Sequence, residues 1–113
     1  MNEHEWRRSL RLALQHMADA DYQRRSWTGI GPEVSSFDEV ISGVFDDAML
    51  TQYIEQNGPN LSRIVLNVAA ELEGAIDVLD MQEFGTRRPD AVIDDPHWIT
   101  IREIAGRLCV ALD

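Results

Sequence analysis

Paired carboxylates are the most abundant candidates for chemistry in this chain: Asp46-Asp47, Glu71 with Glu73, Asp77 with Asp80, and Asp94-Asp95. General acid–base catalysis needs one carboxyl in an apolar cleft, where burial raises its pKa while its partner stays ionised. Asp46-Asp47 and Asp94-Asp95 stand where helix N-termini are expected. There a negative charge serves free backbone N–H groups and the helix dipole, so the structural role is the better reading for both. No catalytic residue is assigned.

Glu73, Asp77 and Asp80 stand at i, i+4 and i+7, which lines their carboxylates along one side of a helix. Glu71 and Glu83 extend the acidity, and Arg63 is the only base on the same predicted helix. Like charges four residues apart cost an isolated helix about 0.2–0.5 kcal/mol. Such a stripe is either a plain solvated face or a surface kept for a basic partner.

Other chemistries find less support. His4, His16 and His97 are far apart, with no H-E-x-x-H or E-x-x-H spacing, so no metal is expected. Cys109 lies between Leu108 and Val110 with no local histidine, which reads as a buried structural thiol rather than a nucleophile. Gly29-x-Gly31 lacks the third glycine, the lysine and the preceding strand of a phosphate loop. No cofactor is expected. Tyr22-Gln23-Arg24-Arg25-Ser26-Trp27 is rich in interface hot-spot residue types. The competing reading buries Tyr22 and Trp27 and pairs the arginines with Asp19 and Asp21. His97-Trp98 is read in the same way, with Trp98 in the core and His97 at the surface.

The elements that must position these groups are helices. Trp6, Leu10, Ala13, Leu14 and Met17 recur at helical spacing and predict a first helix from about Glu3 to Arg25. Thr28-Gly29-Ile30-Gly31-Pro32 then breaks it. Ser36 followed by Glu39 is a capping box that opens a second helix, with Phe37, Val40, Ile41, Val44, Phe45 and Ala48 as its apolar stripe. Asp46-Asp47 is expected to end that helix and cap the next, which carries Met49, Leu50, Tyr53 and Ile54. Asn57-Gly58-Pro59 is a stop signal, with Gly58 placed for a left-handed residue.

Asn60 is read as the cap of a long helix from Leu61 to about Phe84, closed by Gly85. A short turn is expected over Asp90–Ile93. Asp95-Pro96 then starts a last helix lined by Trp98, Ile101, Ala105, Leu108 and Leu112. The alternating β-branched residues of Trp98–Ile104 suggest a strand, but the cap and the stripe through Leu112 outweigh it. An all-α, compact bundle of about five helices follows, as a single domain over residues 1–113.

Composition narrows the partner class. The 113 residues are 44% apolar and 27% charged, enough for a core without disulfides or metals. The net charge is −10, and all ten bases are arginine. Residues 1–30 carry five arginines and four acids; residues 31–60 carry six acids and no base; residues 61–113 carry ten acids and five arginines. Phosphate binding needs basic side chains, so neither nucleic acid nor an anionic membrane is an expected partner. The acid-rich N-terminus does not read as a signal peptide, no segment is apolar enough to span a bilayer, and the lone cysteine suits a reducing compartment. These features together read as cytoplasmic.

In size, acidity and helical content the chain resembles the bacterial immunity proteins that neutralise nuclease toxins. The resemblance is one of overall character across the whole chain, with no motif matched residue by residue. It implies an inhibitor that masks a basic site on a protein partner, through residues 31–60 and the Glu73–Asp80 stripe. The partner-binding candidates are Asp46, Asp47, Glu71, Glu73, Asp77 and Asp80. Two other readings stand beside it: a helical scaffold or regulatory subunit, with a homodimer as one form, and a small enzyme using convergent carboxylates.

Overall fold

The computed structural model describes residues 2–28 and 35–113, and among these every regular element is helical. Gly29, Ile30, Gly31 and Pro32 of the predicted loop lie outside the described residues.

Helix α1 (Glu3–Ala18) starts on Asn2, whose side chain accepts from Glu5 N at 2.8 Å. The chain then departs from the single long helix predicted to Arg25. Asp19 turns extended (φ −101°, ψ 100°) and its carboxylate accepts from Tyr22 N at 3.0 Å, opening α2 (Ala20–Trp27). A short acid that satisfies a free N–H makes a new helix start as favourable as continuing the old one. The carbonyls left at the end of α1 are taken up by Gln23, whose amide donates to His16 O and Met17 O.

Helix α3 (Phe37–Ser42) opens as predicted on Ser36, whose hydroxyl accepts from Glu39 N at 3.2 Å. It then widens into a π turn over Gly43–Asp47, closed by Ala48 N on Gly43 O at 2.9 Å. Asp46 and Asp47 do not cap the next helix, α4 (Leu50–Asn57). Its N-cap is Met49, held left-handed at φ 57° with no side-chain cap bond. The wider turn uses up the residues that would otherwise have brought an aspartate to the cap position. Gly58 is right-handed (φ −46°, ψ −48°) and begins a 3₁₀ turn, Gly58–Asn60, rather than a left-handed stop.

Ser62, not Asn60, caps α5 (Arg63–Asp77), and this helix ends well before Phe84. Asp80 turns extended and accepts from Glu83 N at 3.0 Å to start α6 (Met81–Thr86), within which Gly85 lies. The apolar spacing continues because Leu79 and Phe84 are buried on both sides of the break, so the pattern conceals it. Helix α7 (Pro89–Ile93) forms the expected short turn. Asp95 then caps α8 (Pro96–Ala111), accepting from His97 N at 2.8 Å.

Five of these helices have eight residues or more: α1, α2, α4, α5 and α8. α8 packs against both α1 and α5, and Trp98, Ile101, Ala105 and Leu108 on it are fully shielded from solvent. Trp98 and Phe37 lie edge-on at 6.2 Å, joining α8 to α3, while Trp27 and Trp98 lie 5.6 Å apart and bring in α2. The start of α1 is held by polar contacts as well. Trp6 donates to Ala48 O at 2.6 Å, and the Tyr53 hydroxyl donates to Glu3 at 2.6 Å while accepting from Arg7 at 3.1 Å. The Tyr53 bond, with Arg7 alongside, holds the Glu3 carboxyl below its ordinary pKa. No helix among the described residues is long and apolar enough to cross a membrane.

Candidate functional site

Arginines sort the acids into two groups. Glu3, Glu71, Asp90, Asp94, Asp95 and Asp113 each pair with an arginine. The other thirteen acids of the described residues have no such partner, Asp38, Glu39, Asp46, Asp47, Glu55, Glu73 and Asp77 among them. Five of these unpaired acids come from residues 35–60, the stretch that contains no base.

The predicted stripe is therefore divided. Glu71 is exposed and accepts from Arg107 at 2.5 Å, which ties α5 to α8. Asp80 belongs to the cap of α6, beyond the end of α5. Glu73 and Asp77 remain one helical turn apart, and Glu55 of α4 joins them. Partial burial is the first cause that raises the Glu73 carboxyl above its ordinary pKa, followed by the charges of Asp77 and Glu55. Among the described residues none of the three has an arginine partner.

Asp46 and Asp47 are exposed on the π turn. Asp47 lines a groove of about 620 Å³ between α1 and α3, together with Asp38 and Glu39. The α1 wall of this groove holds Ser9, Leu12, Ala13 and His16, and Leu12 is 55% exposed. At one end the His16 and Tyr22 rings stack at 4.3 Å, with planes 7° apart. The Trp6 bond to Ala48 O ties the end of the π turn to α1.

The chain matches no family model, no curated protein and no solved structure.

Half of the Tyr22–Trp27 segment is interior: Gln23, Ser26 and Trp27 are buried, Arg24 and Arg25 are exposed, and Tyr22, read as buried, is half-buried and lines the groove. Arg24 pairs with Asp94 at 3.3 Å, across to the loop before α8, rather than with Asp19 or Asp21. Trp98 is fully buried, as read from the sequence. Cys109 is buried too, with Sγ 3.6 Å from Arg11 O. No three His, Cys, Asp or Glu side chains converge as metal ligands among the described residues.

The sequence reading left out Leu12, weighed His16 only as a metal ligand, and held Asp38 and Glu55 only as part of residues 31–60. A signal for the first was present, because Leu12 is a large apolar residue off the Leu10, Leu14, Met17 stripe. That Glu55 acts on Glu73 carried no signal, since it depends on how α4 lies against α5.

Proposed function

We propose that the protein is a binding module that masks a basic surface of a protein partner, in the manner of an immunity protein covering a nuclease toxin. The observation that carries this reading is the base-free stretch 35–60, whose acids Asp38, Glu39, Asp46, Asp47 and Glu55 all lack an arginine partner among the described residues. Unpaired carboxylates in one region repel each other, and a cationic partner surface removes that repulsion on binding. Complementary fields of this kind also speed encounter, which suits an inhibitor that must act before its target does. The same charge disfavours nucleic acid and anionic membrane as partners. The reading is of a cytoplasmic protein with no catalytic role.

The test is capture from lysate on the immobilised chain at low salt, with elution by rising salt, repeated with two charge reversals. A single basic protein that elutes with salt is the expected result, and its capture should be lost in Glu73→Arg with Asp77→Arg or in Asp46→Arg with Asp47→Arg. Capture that survives both reversals removes these acids from the interface. If only the chain itself is retained, and salt does not release it, the homodimeric scaffold replaces the masking reading.

A further inference from the structure

We infer that the groove between α1 and α3 docks a cationic, amphipathic helical segment of the partner, with basic and apolar side chains on separate faces. The inference rests on the masking reading and specifies where the contact centres and what the partner presents. The groove joins charge and apolar surface in one concave place. Its carboxylates, Asp38, Glu39 and Asp47, stand beside an apolar wall made by Leu12, Ala13 and Val40, and no arginine lines it among the described residues. Lysine and arginine bury their alkyl stems on such a wall while the charged head reaches a carboxylate. A purely polar cation would leave Leu12 exposed, and a purely apolar segment would leave three acids unpaired.

Backbone geometry supports the same placement. The π turn sets Asp47 and Gly43 on the groove, and a π turn inside a helix is a costly local conformation often retained at working surfaces. The next residue but one after Asp47, Met49, is held left-handed, a second local cost beside the groove. Gly43 lines the groove, and a Cβ built on it would meet no atom within 4 Å, so the position has room for a side chain.

The experiment uses the full chain and a fluorescent peptide of about 15 residues, roughly four helical turns, with lysine and leucine on opposite faces. A peptide of the same composition with the faces scrambled is the comparison. The amphipathic peptide should bind at least about tenfold more tightly than the scrambled one by anisotropy. Asp38→Asn with Asp47→Asn, and separately Gly43→Phe, should each weaken it by about tenfold or more. Glu83→Gln with Glu103→Gln removes the same charge from exposed positions off the groove and should change affinity less than about threefold.

Far-UV circular dichroism of each variant confirms the fold, and the two aspartates are replaced by near-isosteric amides so that folding is retained. If the peptide binds but the groove variants lose no more than the Glu83 and Glu103 pair, the groove is overturned and the masking reading survives. If no cationic peptide binds, the groove is also overturned, and the capture experiment alone decides the masking reading.

Discussion

Trp98 donates its indole N–H to Gln23 Oε1 across 3.0 Å in the interior, joining residues 75 apart in sequence. The amide nitrogen of the same Gln23 donates to His16 O at 3.0 Å and Met17 O at 2.8 Å. One fully buried side chain thus closes the end of α1, lies within α2 and satisfies the central tryptophan of α8.

Removing Gln23 should therefore be far more damaging than its single-residue size suggests. Gln23→Leu leaves an indole N–H and two carbonyls without partners in the core and should cost about 3 kcal/mol. Trp98→Phe should also destabilise, by a cavity as well as a lost donor. In the double variant the total should fall short of the sum, as read by urea denaturation; strict additivity would mean that the two side chains do not act together.

Asp95 carries the start of α8. Its bond from Arg87 at 2.9 Å is the leading cause of a carboxyl held below its ordinary pKa, helped by the backbone N–H of His97. A folded-state pKa below the unfolded one gives stability that is present above the ordinary carboxylate range and lost as pH falls through the depressed value. Asp95→Ala should cost about 1 kcal/mol at neutral pH. That difference should shrink in acid, and a pH-independent cost would contradict the ionised cap.

Glu73 works in the opposite direction. Its folded-state pKa is raised, so the penalty of ionising it is absent in acid and complete once pH exceeds the raised value. Glu73→Gln should accordingly stabilise the fold at neutral pH by about 0.3 kcal/mol and have no such effect in acid. Thermal unfolding at the two pH values checks the sign; destabilisation at neutral pH would show that the carboxylate has a cationic partner.

Met49 is the one non-glycine with positive φ among the described residues. Left-handed backbone costs an L-residue about 1–2 kcal/mol, offset in part by glycine's greater freedom in the unfolded chain. Met49 is 40% exposed, so little packing is lost on replacing it. Met49→Gly should stabilise by about 0.5 kcal/mol, whereas Met49→Val should destabilise by more than about 1 kcal/mol. Denaturant midpoints that move together for the two variants would mean the residue leaves the left-handed region.

The sequence by itself determined the helical class, the core stripe of α8 and the caps at Ser36 and Asp95. These rest on forces acting over three or four residues, such as a side-chain oxygen reaching a nearby N–H or apolar side chains repeating once per turn. It also determined the charge imbalance, because no arginine falls within residues 31–60. Tertiary structure decided where long helices break. Asp19 and Asp80 look like ordinary exposed acids on a continuing pattern, and only the packing of α2 and α6 turns each into a cap. The same holds for which acids are neutralised. Glu71 and Glu73 are two residues apart on one helix, yet one pairs with Arg107 of α8 while the other is half-buried and feels the charge of Glu55 of α4. Coulomb interactions act between neighbours in space, and those neighbours exist only once the helices have packed.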